Sequence, residues 1–318
     1  MIFRTPIKPL EHSGILSHKD GIMMLGSCFS DNIGDKLKES LFDVDVNPFG
    51  TTYNPESISL ILNRIISLEK IEEKDLFFFN GLWSSFFFHS RFSGTNREKT
   101  VELMNKRITQ AHQNLKKAHI LFITFGTAYK YSLIESGITV NNCHKIPNAK
   151  FSRTMLGVTE ISTLMIQIIK QLKEYNSNLK IIFTVSPIRH IADGLRQNQL
   201  SKCTLRVAIN DIINNFPEDC SYFPAFEIMM DDLRDYRFYT PDMVHPSEVA
   251  IEYIWKIFQS SYCDESTIDI ALKCLKLNKR LSHRPITENK EAMKEFNDST
   301  QKILQHLILE FPYLKDRI

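Results

Sequence analysis

The sequence predicts an α/β protein whose core is a doubly wound, mainly parallel five-stranded sheet. Short apolar runs alternate along the chain with longer segments of helical periodicity, which is the pattern of parallel strands joined by crossover helices. Small and polar residues follow two of the apolar runs, at Gly26-Ser27-Cys28 and at Gly126-Thr127. Because sheets of this class bind ligands beyond the carboxyl ends of their strands, we expect a functional site at that edge.

The predicted elements follow one another in strand and helix order. The candidate core strands are residues 21–25, 44–47, 120–125 and 180–185, with a short one near Tyr222. Apolar residues recur at three- and four-residue spacing in the candidate helices, which are residues 31–42, 56–69, 97–117, 159–175, 194–215 and 249–258. A sheet with helices on both faces accommodates this order.

Two segments interrupt the alternation. Residues 77–88 contain two aromatic runs around Asn80-Gly81, a dipeptide typical of the turn in a tight β-hairpin. Residues 131–154 are polar and rich in turn-forming residues, and they contain Asn142-Cys143-His144-Lys145. Because the core pattern resumes after this second segment, we expect it to be a long loop beside the active site.

The chain is expected to divide into an α/β domain, residues 1–262, and a C-terminal helical extension, residues 263–318. Strand signals stop near Cys263, and residues 268–281 and 289–309 have the periodicity of two helices. We interpret the extension as a helical appendix and not as a second catalytic domain.

Composition is that of an ordinary soluble enzyme of 318 residues, 43% hydrophobic and 24% charged, with a net charge of +2. A near-neutral chain lacks the basic footprint of a nucleic-acid-binding protein, and no run reaches the roughly 18 apolar residues of a membrane helix. The N-terminus lacks the features of a secretory signal, so we expect a cytoplasmic protein. The six cysteines are scattered without a Cys-x-x-Cys pair, so we expect reduced thiols, no metal and no other cofactor.

Two short segments carry the candidate chemistry. Gly26-Ser27-Cys28 joins an apolar run to a helical segment, which places Ser27 or Cys28 at a helix N-terminus. Asp242 precedes His245 by three residues, so one turn would let the carboxylate orient the imidazole. A nucleophile, a base and an orienting group are the minimum set for covalent acyl transfer. In the alternative interpretation, Ser27 is a helix cap, Cys28 a packing residue, and Asp242 and His245 cap the following helix.

Several motifs occur in a fixed order along the chain: Gly26-Ser27-Cys28-Phe29-Ser30, Asn47-Pro48-Phe49-Gly50-Thr51, Phe125-Gly126-Thr127-Ala128, Asn142-Cys143-His144-Lys145, Ser186-Pro187-Ile188-Arg189-His190 and Asp242-Met243-Val244-His245-Pro246-Ser247. Over roughly residues 1–260 the chain resembles the GSCFA family, a bacterial group within the SGNH (GDSL-type) hydrolase superfamily. The resemblance implies a flavodoxin-like hydrolase fold and an esterase or acyltransferase site for a small acylated substrate.

The resemblance also implies roles for individual residues. The superfamily's nucleophile stands two residues after the glycine of its first motif, which is Cys28 here, while Ser27 takes the aspartate's place. A thiol suits the role because a helix N-terminus and a nearby imidazolium favour the thiolate; Ser27 remains the alternative nucleophile. His245 is the implied base, and Asp242 orients it.

The resemblance implies two oxyanion donors and leaves the third open. The amide of the nucleophile and that of Gly50 are the first two, but alanine replaces the usual asparagine in Gly126-Thr127-Ala128. The hydroxyl of Thr127, or Asn142 and His144 from the long segment, are the candidates for the third donor. A turn cap for Thr127 and a solvated loop for the other two are the alternatives.

Three further residues are weaker candidates. Arg189 follows a predicted strand, where it would bind an anion or form a salt bridge. His89 follows the aromatic segment and would face the pocket or be a satisfied core residue. Trp83 would suit stacking on a sugar face, although the aromatic segment most simply packs on the core.

Two function classes remain. The first is an enzyme that cleaves or transfers an acyl group through Cys28 or Ser27, which the intact aspartate and histidine favour. The second is a catalytically silent module that binds a small acylated or sugar ligand, which Ala128 favours. A metal hydrolase is disfavoured because no His-Glu-x-x-His spacing occurs.

Overall fold

The computed structural model describes residues 4–10, 14–283 and 289–318. Its strands are β1 (Gly21–Gly26), β2 (Asp43–Val46), β3 (Phe77–Phe79), β4 (Leu82–Ser84), β5 (Ala118–Phe125), β6 (Tyr129–Leu133), β7 (Thr139–Val140), β8 (Phe151–Met155), β9 (Lys180–Val185) and β10 (Cys220–Tyr222). Its helices are α1 (Cys28–Glu39), α2 (Pro55–Ser67), α3 (Arg97–Lys117), α4 (Val158–Tyr175), α5 (Leu195–Asn215), the short α6 (Ala225–Glu227), α7 (Glu248–Tyr262), α8 (Glu265–Leu281) and α9 (Lys290–Glu310).

The predicted five-stranded parallel sheet is confirmed. Its order is β10-β9-β5-β1-β2, and every neighbouring pair is parallel. The chain first builds outward from β1 to β2 and then continues on the other side of β1 with β5. The order therefore reverses between β1 and β5, and a crevice forms where the loops after these two strands separate.

Strand β1 shows why a continuous apolar run predicts a central strand. Met23 and Leu25 belong to one hydrophobic core, which also contains residues of α2, α3, α4 and α5. Ile22 and Met24 belong to the core on the opposite face, with residues of α1 and α7. Because successive side chains point to opposite faces, a strand buried on both sides is apolar at every position.

The predicted aromatic hairpin is confirmed over its first part. Strands β3 and β4 are antiparallel, and Asn80 and Gly81 between them have φ of +49° and +79°, as a tight hairpin turn requires. The pairing ends at Ser84. Beyond it, Phe86 stacks on Phe77 at a centroid distance of 4.1 Å, and Phe88 stacks on Phe49 at 4.2 Å.

The prediction of a long loop at residues 131–154 is wrong. Strands β6, β7 and β8 form a separate three-stranded antiparallel sheet. The many turn-forming residues belong to the connections between the strands.

Helix α1 begins at Cys28, three residues before the predicted start at Asp31. The N-cap is Ser27, whose side chain accepts the N–H of Phe29, and this cap satisfies an amide that the first turn leaves unpaired. The earlier start makes Cys28 the first residue of the helix.

Helices α8 and α9 correspond to the two predicted C-terminal helices. Side chains from both pack with Leu41 and Leu314 in a small hydrophobic cluster, and Arg317 donates a hydrogen bond to the carbonyl of His18 at 2.7 Å. The extension thus contacts the α/β region next to the end of α1. None of the helices among residues 4–10, 14–283 and 289–318 is long and apolar enough to cross a bilayer.

Candidate active site

A cavity of about 440 Å³ lies at the carboxyl edge of the sheet. It receives side chains from the turns after β1, β5 and β9, and from the segment before α7 that carries His245. The lining includes Cys28, Tyr53, Thr127, Tyr129, Asn141, Cys143, Arg189, His190 and His245. Residues far apart in the sequence therefore meet at the switch point of the sheet.

Cys28 and Ser27 take different positions. Cys28 lines the cavity from the first turn of α1. Ser27 is only 1% exposed, and its hydroxyl accepts the N–H of Phe29 at 3.3 Å. The structure therefore places the thiol at the cavity and gives Ser27 the capping role that was its alternative interpretation.

The turn that presents Cys28 is tightly constrained. Gly26 has φ of +142°, and a Cβ there would lie 2.2 Å from the carbonyl oxygen of Thr124 on β5. The N–H of Gly26 donates to Oδ1 of Asn47 at 2.9 Å, and Nδ2 of Asn47 donates to Asp31 at 2.8 Å. Only glycine permits this approach of the two strands, and the Asn47 bridge ties the turn to α1.

Burial raises the pKa of the Cys28 thiol, and the nearby charge of Asp31 raises it further. Hydrogen bonding from the helix N-terminus and the positive charge of Lys202 act in the opposite direction but do not prevail. The expectation of a lowered thiol pKa is therefore wrong for this state of the site. The physical reason is that a half-buried thiolate loses more hydration than the first turn of a helix returns.

His245 and Asp242 form the predicted pair, with 2.6 Å between Nδ1 of the imidazole and Oδ2 of the carboxylate. The other oxygen, Oδ1, accepts the hydroxyl of Thr240 at 2.6 Å and the N–H groups of Val244 and His245 at 2.8 and 3.0 Å. These hydrogen bonds hold the pKa of Asp242 well below its usual range, and the one from Thr240 has the largest effect. The N-cap of α7 is Ser247, so neither Asp242 nor His245 caps that helix.

Cys28 and His245 both line the cavity. Within the described part of the chain no hydrogen bond joins the thiol to the imidazole, although both residues line the same space. With Nδ1 bonded to Asp242, Nε2 is the nitrogen left for the cavity. Catalytic hydrogen bonds are often long in unliganded sites and shorten when substrate binds.

The expectation that Gly50 supplies an oxyanion donor is wrong. Its N–H donates to the carbonyl of Asn47 at 2.8 Å and so closes a turn. Gly50 has φ of +91°, and a Cβ there would lie 2.1 Å from Cβ of His89. His89 thus packs against Gly50 and does not line the cavity, contrary to the pocket role considered for it.

Gly126 and Thr127 also have engaged amides. Both N–H groups donate to the carbonyl of Tyr53, at 2.7 and 3.0 Å. The Thr127 hydroxyl lies 3.1 Å from that of Ser201 and accepts the N–H of Tyr129 at 3.2 Å. Thr127 lines the cavity, but these bonds give its hydroxyl the turn-cap role of the alternative interpretation, and the Gly126 amide is not a free donor.

Asn142 and His144 do not line the cavity, contrary to expectation. Nε2 of His144 bonds the carbonyl of Ser85 at 2.9 Å, and Oδ1 of Asn142 accepts the N–H of His144 at 2.8 Å. Their sequence neighbours Asn141 and Cys143 face the cavity instead. The Asn142 and His144 side chains are engaged by the His144 N–H and by Ser85, and the odd-numbered residues of this segment line the cavity.

Arg189 lines the cavity, as predicted, but without a carboxylate. Its guanidinium carbon lies 4.4 Å from the centre of the Tyr239 ring and 5.4 Å from that of Tyr236. Among the described residues no acidic side chain forms a salt bridge with it, and its buried Nε has no hydrogen-bond partner. The salt-bridge alternative is therefore wrong.

Sequence reasoning missed His190 and Lys202. His190 lines the cavity edge-on to Tyr53, and burial, followed by the charge of Lys202, lowers the pKa of His190 to about 4. It was visible only as the neighbour of Arg189 in a motif. Lys202 on α5 is buried, and its Nζ donates to the carbonyls of Gly126 and Ser186, which follow β5 and β9. No sequence signal identified it, because a lysine in an amphipathic helix normally predicts a solvent-exposed position.

Among the residues that the structure describes, no group of three or more His, Cys, Asp or Glu side chains could hold a metal ion.

The model of the GSCFA family matches residues 21–258. No curated protein matches the chain. Among solved structures, the chain is similar to an acetyl xylan esterase, Est2A, from the rumen bacterium Butyrivibrio proteoclasticus. The two are 11% identical with a TM-score of 0.37, over 76% of this chain and 63% of that chain, so the present chain spans less than two thirds of that protein's length.

Proposed function

Because the chain belongs to the GSCFA family, we propose that it cleaves or transfers the acyl group of a small ester or thioester through Cys28. One observation carries the proposal: Cys28 and a histidine already paired with a carboxylate line the same cavity. Nucleophile, base and orienting group are the parts that covalent acyl transfer needs. This is the hydrolase activity that the family resemblance implies.

In the proposed reaction, Nε2 of His245 accepts the proton of the Cys28 thiol as the sulfur attacks the acyl carbon. The acyl group becomes a thioester of Cys28, and His245 returns the proton to the leaving alcohol or thiol. Water or a second acceptor then attacks the thioester, with His245 again as the base; the bond to the Cys28 sulfur breaks, and His245 returns the proton to that sulfur. Because burial raises the thiol's pKa, the resting nucleophile is protonated and needs this base.

The oxyanion is stabilised in this proposal by the backbone N–H of Cys28, which lies in the first turn of α1, where amides lack intrahelical partners. Asn141 is the candidate second donor. Its Nδ2 donates to the carbonyl of Phe87 at 3.3 Å, which engages one of its two N–H groups. Asn141 thus replaces the asparagine that is absent at Ala128.

Arg189 indicates that the proposed substrate carries a negative charge. A guanidinium that lines the cavity without a carboxylate partner suits an anionic group on the substrate. We therefore place a carboxylate or phosphate of the acylated substrate beside Arg189. The second candidate function, binding of an acylated or sugar ligand without turnover, is favoured by the tyrosines that line the cavity, Tyr53, Tyr129 and Tyr131.

The test compares wild type with Cys28→Ala, Ser27→Ala and Cys143→Ala on matched neutral and carboxylate-bearing short-chain esters and thioesters. Cys28→Ala should lower kcat/KM at least about a hundredfold, because the covalent route is lost. Cys143→Ala, which removes the other cavity thiol, should retain turnover. Ser27→Ala should also retain turnover while losing about 1 kcal/mol of unfolding free energy with its cap.

Mass spectrometry of quenched reactions should find the acyl group on Cys28. Turnover that survives Cys28→Ala but not Ser27→Ala would assign the nucleophile to Ser27. A wild-type protein that binds these compounds without hydrolysing any of them would support the binding function instead. Equal kcat/KM for the neutral and charged members of each pair would contradict the role given to Arg189.

A further inference from the structure

Helix α9 leaves most of its surface uncovered. Of its 21 residues, all of which the structure describes, only Thr300 and Leu307 are buried. Lys273 of α8 donates to Glu310 at the end of α9, at 3.2 Å. Arg280, about two turns further along α8, donates to Thr300 in the middle of α9 at 3.1 Å, so the two helices are antiparallel. Because helices are stabilised mainly by packing one apolar face, so long an uncovered surface is a candidate interface.

A groove of about 460 Å³ runs between α8 and α9. Apolar side chains form its floor, and one of them, Ile303, is 38% exposed. Four of the nine lining residues are lysine or arginine, whereas the single carboxylate among them, Glu310, is paired with Lys273 at 3.2 Å. Within the described part of the chain, Lys276 and Lys302 form no ion pair. An apolar floor with a basic rim fits an amphipathic helix that carries acidic side chains.

The N-terminal half of α9 carries the opposite charge. Glu291, Glu295 and Asp298 are spaced by four and three residues, so they share one face of the helix. They line a shallow depression of about 590 Å³. The depression is completed by Lys294, Ser299, Lys302 and Ile303. The last two residues also line the groove, so the acidic face and the basic groove are continuous.

The acidic half of α9 cannot enter the groove of its own chain, because α9 is one continuous helix, Lys290–Glu310. A second copy of the chain can supply it. If the α9 helices of two copies lie antiparallel about a twofold axis, each acidic half lies in the groove of the other copy, and both contacts form together. An anionic membrane or a nucleic acid would meet the acidic face on the same surface, so neither matches this charge pattern.

We propose that the protein forms a twofold-symmetric dimer, in which the acidic half of each α9 lies in the basic groove between α8 and α9 of its partner. Apolar contacts in such a helix-in-groove interface supply affinity, and charge selects the partner and its orientation. Ile303 lines both surfaces and so lies near the twofold axis, where the exposed isoleucines of the two copies meet.

Sedimentation equilibrium of the full chain tests the dimer. The wild type, 37.0 kDa as a single chain, should have twice this mass in about 0.1 M salt and dissociate more in about 1 M salt, where the screening length falls from about 10 Å to about 3 Å. One variant, Glu295→Lys/Asp298→Lys, reverses the acidic face, and another, Lys276→Glu/Lys302→Glu, reverses the groove; all four side chains are exposed. Each variant alone should have a dimer dissociation constant about a hundredfold higher or more, because like charges then face each other.

An equimolar mixture of the two variants separates a specific interface from a general charge effect. In a mixed dimer the reversed face meets the reversed groove and the native face meets the native groove, so the mixture should dimerise with about the wild-type affinity. The control, Glu98→Lys/Glu102→Lys, makes the same change on α3 and should dimerise as the wild type does. A wild type that is monomeric in low salt, a dimer that survives either reversal, or a mixture that stays monomeric would overturn the proposal.

Discussion

Replacing Asp242 with asparagine should force His245 into the wrong tautomer. Three donors converge on Oδ1 of Asp242: the Thr240 hydroxyl and the N–H groups of Val244 and His245. In Asp242→Asn they keep the amide oxygen at that position, because a flipped amide would point its NH₂ group at two backbone N–H groups. The NH₂ group therefore takes the place of Oδ2, 2.6 Å from Nδ1 of His245.

The changed tautomer should remove the basic nitrogen that the reaction needs. A donor opposite Nδ1 makes that nitrogen an acceptor and moves the proton to Nε2, which then cannot take a proton from Cys28. We expect kcat/KM to fall by about 10²–10⁴, or about 3–5 kcal/mol of transition-state stabilisation. Asp242→Ala imposes neither tautomer, so it should lose less than Asp242→Asn.

The assay is kcat/KM on the best ester or thioester from pH 5 to 9, together with the nitrogen-15 shifts of the His245 ring. Asp235→Asn is the matched control: it makes the same change nearby, at a carboxylate that accepts the N–H of Arg237 at 2.9 Å and does not line the cavity. Its kcat/KM should not change. Wild-type activity in Asp242→Asn, or more activity in Asp242→Asn than in Asp242→Ala, would refute the tautomer argument.

Two further predictions concern stability. A Cβ at Gly50 would lie 2.1 Å from His89, whereas one at Gly81 would meet no atom within 4 Å; both residues have positive φ. In urea denaturation, Gly50→Ala should therefore cost more than about 3 kcal/mol and Gly81→Ala about 1 kcal/mol, and equal losses would show that backbone strain alone decides. Burial lowers the pKa of His18 to about 4 from 6.5, so the unfolded chain binds more protons between these values. The contribution of His18 to the free energy of unfolding should be complete above pH 6.5 and fall by up to about 3 kcal/mol as the pH falls to 4. The urea midpoint of His18→Asn should depend less on pH in this window than that of the wild type. An equal pH dependence in the two proteins would contradict the role given to His18.

Local patterns in the sequence were sufficient to predict the sheet, the hairpin turn and the Asp242–His245 pair. Each depends on residues close together in the chain: the apolar run of β1 is buried on both faces, Asn80-Gly81 accepts positive φ, and one turn brings a carboxylate to an imidazole three residues later. These effects depend on the segment's own residues, so they can be predicted without knowing which other parts of the chain pack beside it. The family motifs are also properties of the sequence alone.

The tertiary structure decided which of these groups are available to a ligand. The amides of Gly50 and Gly126 are engaged by the carbonyls of Asn47 and Tyr53, and Ser27 is used as a cap, so only Cys28 of the two candidate nucleophiles reaches the cavity. The burial of Lys202 had no sequence signal, because its hydrogen-bond partners follow two strands far from it in the chain. A residue's type shows what it can donate or accept, but its free partner sites depend on neighbours that the fold brings from elsewhere.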